Sequence, residues 1–139
     1  MVVIHHNPEC GTSRNVLAII RAAGYEPRVI EYIKEGWTKP QLLALFAAAD
    51  LTPRTALRTT KSPAEELGLL GESVSDEVLL AAMLKHPVLV NRPIVCTPKG
   101  VKLCRPSETV LDLLEKWPES NFEKEDGEKV LDKNGRRMS

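Results

Sequence analysis

The chain has 139 residues, with 19 basic against 19 acidic side chains and a pI near 6.8. That length fits one domain with a sizeable core, and the balanced charge argues against nucleic acid or an anionic membrane as the main partner. No apolar run approaches the roughly 18 residues of a membrane span, and the first residues lack the pattern of a signal peptide.

Met1 to His5 is a short β-branched run that predicts a buried strand. Asn7-Pro8 marks a turn. Ser13 to Ala23 follows as a helix with Val16, Ile20 and Ala23 on one stripe and Gly24 as its stop. Pro27 to Tyr32 gives a second strand, and the strand–helix–strand order predicts a parallel pair with a crossover helix. The middle, about residues 38–86, reads as a helical insertion. Leu42, Leu45, Phe46 and Ala49 share one face. Thr52-Pro53 and Ser62-Pro63 each place a capping residue before a first-turn proline, and Ser62 with Glu65 makes a capping box. Ser75 opens a further helix through Leu79, Leu80, Met83 and Leu84, ending before Pro87. Strands return at Ile94 to Thr97 and Val101 to Cys104, joined by a link short enough for an antiparallel hairpin. Ser107 caps a last helix with Val110, Leu111 and Leu114 inward. The polar stretch from about 119 to 139 carries an Asn134-Gly135 turn and no further expected structure.

The order βαβ, then helices, then ββα is that of a thioredoxin-like fold: α/β, with a mixed sheet and a helical insertion in a single domain spanning 1–139. In that architecture the first strand-to-helix corner faces the residue before a cis proline at the third core strand, which is Arg92-Pro93 here. Cys10 stands at the corner, within His6-Asn7-Pro8-Glu9-Cys10-Gly11-Thr12-Ser13-Arg14. There the first helical N–H groups lack intrahelical partners and the helix dipole is positive, so thiolate is favoured over thiol. Ser13 occupies the place of the second cysteine of a dithiol motif, so the site starts thiol chemistry that its own motif cannot finish. Three cysteines without framework spacing predict no structural disulfide and a reducing, cytoplasmic setting. Cys96 and Cys104 read as inert strand residues, and His5 as the end of the first strand. His and Cys do not cluster at metal-ligand spacing, so no metal is expected. Arg58, Arg92 and Arg105 are suited to a tetrahedral oxyanion. Singly, each reads as a surface charge; the topology brings Arg92 and Arg105 toward Cys10.

The residues His6 to Arg14, Leu57-Arg58, Glu66-Leu67-Gly68-Leu69, His86-Pro87, Asn91-Arg92-Pro93-Ile94-Val95, Leu103-Cys104-Arg105-Pro106-Ser107-Glu108 and Lys124 to Val130 together resemble the glutaredoxin-coupled arsenate reductases. The resemblance covers nearly the whole chain. One departure is Arg58-Thr59-Thr60-Lys61, which keeps the arginine and changes its neighbours. The resemblance implies that Cys10 attacks arsenic and that Arg58, Arg92 and Arg105 hold the oxyanion. It implies that His6 lowers the thiol pKa, and that Ser13, Arg14 and the N–H groups of Gly11, Thr12 and Ser13 support the anion loop. It further implies arsenate as substrate, glutathione as co-substrate, glutaredoxin as partner, no bound cofactor, and a monomer. Two other readings share the fold. Redox regulators that contact RNA polymerase use a Cys-x-x-Cys switch, which Ser13 breaks. A glutathione-dependent thiol transferase would not call for the pair Arg58 and Arg105.

Overall fold

The computed structural model describes residues 1–138; Ser139, the end of the polar stretch, lies outside the described residues. The chain divides into two compact units, Met1–Glu31 with Arg92–Ser139 and Tyr32–Asn91. The first holds a four-stranded sheet in the order β2-β1-β3-β4. Strands β1 (Val3–His6) and β2 (Arg28–Glu31) run parallel, whereas β3 (Ile94–Thr97) pairs antiparallel with both β1 and β4 (Gly100–Leu103). This is the thioredoxin-like topology. The crossover between β1 and β2 is helix α1 (Gly11–Ala22), which buries Val16, Ile19 and Ile20. It stops at Gly24, whose φ of 95° suits a residue without Cβ. The Gly24 N–H bonds Arg21 O and the Tyr25 N–H bonds Ile20 O, which closes the helix in a Schellman motif.

Ile4 and Val95 meet Ile19, Ile20, Leu111 and Cys104 in one buried cluster. Fully burying each large aliphatic contributes about 1.5–3 kcal/mol. The same cluster contains Val130 and Leu131, both fully buried, with Phe122 packed against it. The stretch after residue 119 is therefore structured, contrary to its polar composition. It forms two small hairpins bridged at Glu123↔Lys129 and Leu131↔Arg137. The second turns at Asn134-Gly135, where Asp132 Oδ1 accepts from the Asn134 and Arg136 N–H groups. Val130 and Leu131, with Phe122 beside them, give this charged run its apolar contacts. The predicted last helix is a 3₁₀ helix, Ser107–Leu113. Ser107 is its first residue rather than its cap, and its hydroxyl donates to Thr12 O.

The second unit contains α2 (Tyr32–Glu35), α3 (Lys39–Ala48), α4 (Asp76–Lys85) and a 3₁₀ turn at Pro87–Leu89. Thr38 and Gln41 form a capping box that starts α3. Ser75 Oγ accepts from Val78 N–H to start α4. The helices predicted from Thr52 and Ser62 are single turns. Thr52 and Thr55 cap one another's N–H groups, and the chain then goes extended because Leu57 bridges Val90. After Ser62, the turn closes at Gly68, with φ of 70°. The Ser62 hydroxyl donates to Arg58 O and accepts from Ala64 N–H, so the Ser62–Glu65 box is replaced. Arg54 braces this region by donating to the carbonyls of Leu69, Gly71 and Val74.

Candidate active site

Strand β1 ends at His6, and the chain turns through Asn7, whose side-chain oxygen accepts the Glu9 N–H at 3.0 Å while its carbonyl accepts the Cys10 N–H. Such an Asx turn is what an Asn-Pro step after a strand favours. It delivers Cys10 to the cap position of α1 in extended conformation, and Cys10 O accepts the Arg14 N–H at 2.9 Å to begin the helix. Burial alone would raise the Cys10 thiol. The Ser13 N–H, the charge and hydrogen bond of Arg92, and the Thr12 N–H outweigh it, so the thiol lies below its ordinary value. Only 6% of Cys10 is exposed.

Two arginines of this unit meet the sulfur. The Arg92–Pro93 peptide is cis, and so is Arg105–Pro106. The Cys104 N–H donates to Pro93 O, which ties the segment before β3 to the one after β4. Arg105 Nη1 donates to Cys10 Sγ at 3.8 Å and to Arg92 O at 3.2 Å. Cys10, Arg92 and Arg105 therefore form one electropositive site that favours the thiolate.

His6 reaches this site indirectly. Its Nδ1 lies 2.6 Å from Ser13 Oγ, which also accepts the Asn7 N–H at 3.1 Å. Burial pulls the His6 pKa down despite the opposing charge of Glu31, so the ring is neutral near pH 7 and fixes Ser13 rather than supplying charge to the thiolate. Ser13 is fully buried and acts as a hub of the loop. Arg14 is engaged by the protein itself. It grips Glu125 with two hydrogen bonds of 2.8 and 3.1 Å and donates to Pro8 O at 2.8 Å. Gly11 lies close under Glu125: a Cβ there would sit 3.1 Å from the carboxylate, which would have to give slightly. Arg58 belongs to the helical unit. Its N–H donates to Leu89 O and its Nε to Thr60 O. His5 is buried in β1 and bonds Ile94 O at 3.0 Å. Cys104 is buried and its thiol is pushed up to about 12 by burial, and burial also raises Cys96. Glu125 and Ser107, which the sequence places in matching motifs without a role in the site, and Asn15, which it does not single out, join the loop; Asn15 Oδ1 accepts the Glu125 N–H at 2.9 Å. Among the described residues no cluster of His, Cys, Asp and Glu is placed to hold a metal ion, and no helix is long and apolar enough to cross a membrane.

Residues 5–113 match the ArsC family. The chain belongs to that family. As an ArsC-family member it is similar over 99% of both chains to the arsenate reductase ArsI2 of Synechocystis sp., at 72% identity. It is 48% identical to the arsenate reductase of Escherichia coli K12, over 99% of this chain and 97% of that protein. Among solved structures, the arsenate reductase from Vibrio cholerae superposes with a TM-score of 0.76 at 38% identity, covering 81% of this chain and 97% of the other.

Proposed function

We propose that this ArsC-family chain is an arsenate reductase that uses Cys10 as its nucleophile and draws electrons from glutathione and glutaredoxin. The observation that carries the reading is a lone cysteine with a lowered pKa, touched by two arginines, in a chain whose full-length relatives are named arsenate reductases. Arsenate is a tetrahedral anion, and arginine forks suit its oxygens. The Cys10 thiolate attacks As(V), an S–As bond forms and one oxygen leaves as water. Glutathione adds through its thiolate, releasing a second oxygen as water. The two sulfurs then give up two electrons: the S–S bond of a Cys10–glutathione disulfide forms, both S–As bonds break, and hydration releases arsenic as As(OH)₃. Glutaredoxin thiolate attacks the mixed disulfide and returns Cys10 to the thiolate. Outside thiols are needed because Ser13 stands where a resolving cysteine would be. No bound cofactor enters this scheme.

Arg92 and Arg105 hold the oxyanion beside Cys10, and Arg58 completes the set. Support for Arg58 comes from its place in the matching Leu57-Arg58 motif. On this reading the helical unit is an insertion in one thioredoxin-like domain, and the protein works as a cytoplasmic monomer.

The test is NADPH oxidation coupled through glutathione reductase, glutathione and glutaredoxin, with arsenate as acceptor. Cys10→Ser should abolish turnover, while Cys96→Ala and Cys104→Ser remain active. Arg58→Ala should lower arsenate reduction roughly 10- to 150-fold, the equivalent of one charge-assisted contact, and should lower glutathione-disulfide exchange at Cys10 far less. Equal losses in the two assays would favour a thiol transferase. Activity surviving in Cys10→Ser would move the nucleophile elsewhere.

A further inference from the structure

The C-terminal segment reaches the cysteine loop through a set of contacts that the proposed chemistry does not use. Glu125 takes both Nε and Nη2 of Arg14, while Nη1 of the same guanidinium is held by Pro8 O, two residues before Cys10. The Glu125 N–H is anchored by Asn15 Oδ1. The carboxylate lies directly over Gly11, the residue after Cys10. Next to it, Lys124 is clamped by Glu108 at 2.9 Å with only 10% of its side chain exposed, and by Glu128 at 3.4 Å. The segment is thus bolted on one side to α1 and on the other to the 3₁₀ helix that follows Arg105.

Arg14 would otherwise be a further cation beside the thiolate, since its charge and that of Cys10 already act on one another. We propose that Glu125 is a positioning residue of this site: it fixes Arg14 against the Pro8 carbonyl and cancels its charge, leaving Arg92 and Arg105 to set the field at Cys10. This rests on Cys10 being the reactive thiol. The charged groups around the cysteine loop are then sorted by element. Arg92 and Arg105 act on it directly. Glu9 and Arg14 flank it in sequence, His6 is neutral, Glu108 and Lys124 neutralise one another, and Glu125 neutralises Arg14. The chemical value of such restraint is that a thiolate loses intrinsic nucleophilicity as its pKa falls, so surplus positive charge beside the sulfur works against attack on arsenic.

The experiment measures alkylation of Cys10 in the full chain by iodoacetate, an anion, and iodoacetamide, which is neutral, each against pH and at low salt. Peptide mass spectrometry isolates Cys10 from the other two thiols. Glu125→Gln keeps an acceptor for Arg14 but removes the negative charge. An exposed unit charge acting through water over ~7 Å changes an equilibrium by about two- to threefold. The iodoacetate-to-iodoacetamide rate ratio should therefore rise about two- to threefold in Glu125→Gln, and the pH midpoint should fall. Arg14→Gln should move both the other way, and the double variant should return to wild type. High salt should erase the differences. A ratio and midpoint unchanged in Glu125→Gln, or moved in the opposite sense, would overturn the proposal, as would single variants that both shift in one direction. These comparisons need no arsenate, so they are independent of the substrate. A wild-type midpoint at or above that of a free cysteine would count against Cys10 as nucleophile without affecting the comparison between variants.

Discussion

Ser13 shows how one side chain can hold a loop together. Its hydroxyl oxygen lies 2.6 Å from His6 Nδ1 and accepts the Asn7 N–H, all three groups being buried. The contact is one hydrogen bond whichever nitrogen of the neutral ring carries the proton, since a hydroxyl both donates and accepts. Burial of the ring disfavours the imidazolium and lowers its pKa. The consequence for stability has a definite sign. A histidine whose folded pKa lies below the unfolded value of about 6.5 binds fewer protons when folded. Its contribution is intact above about pH 6.5 and is lost as the pH falls toward the depressed folded value. Urea unfolding should therefore show lower stability at pH 5 than at pH 7, and His6→Asn should flatten that fall. An unchanged slope in the variant would mean the ring is not the titrating group. At this scale the cysteine loop was legible in the sequence because strand, Asx turn, cap and helix lie within ten consecutive residues. His6 was legible as a member of the site, while its neutrality was not, because burial comes from residues distant in the chain.

Among the elements, the C-terminal segment is the one whose sequence misleads most. Its charges predict a solvated tail, yet Val130 and Leu131 are fully buried in the core made by α1, β1 and the 3₁₀ helix. A pair of adjacent apolar residues has neither helical nor strand periodicity, so pattern reading has nothing to register. The docking then depends on contacts across more than a hundred residues, such as Arg14 with Glu125. Leu131→Ala should cost about 2–5 kcal/mol, the range for a buried leucine truncated to alanine. Denaturant unfolding would measure it, and a cost below 1 kcal/mol would mean that the segment adds little to the core. The two short turns after Thr52 and Ser62 err in the opposite sense. Their capping residues are real, but Leu57↔Val90 pairing and Gly68 end each turn before it can propagate. Local start signals were readable, whereas the stop imposed by tertiary pairing was not.

At the level of the whole chain, topology was the part most open to sequence reading. The order of two β-branched runs around an amphipathic helix, followed later by a hairpin, leaves few arrangements, and the sheet order β2-β1-β3-β4 is the one that brings Arg92 and Arg105 to Cys10. The fold also distributes the three cysteines. All are free. Cys96 pairs with Val101 and Val3, and lies on the sheet face opposite to Val95, whereas Cys104 is in the core on the Val95 side. With its thiol pushed up to about 12 and donating to Lys102 O, Cys104 is held as an unreactive thiol. Alkylation at pH 8 should modify Cys10 first, Cys96 slowly, and Cys104 only after unfolding. This separation bears on self-poisoning. Trivalent arsenic is a soft centre that holds thiolates, and it is gripped best by two thiols at once. An enzyme releasing it would be its own first victim if it carried a vicinal pair. Here Cys10 stands without a neighbouring thiol in its motif, Cys104 is sealed in the core, and Cys96 is turned to the far side of the sheet. On the proposed function the chain would therefore shed its product instead of chelating it, and mass spectrometry after incubation with excess arsenite should find no arsenic bridging two of its cysteines.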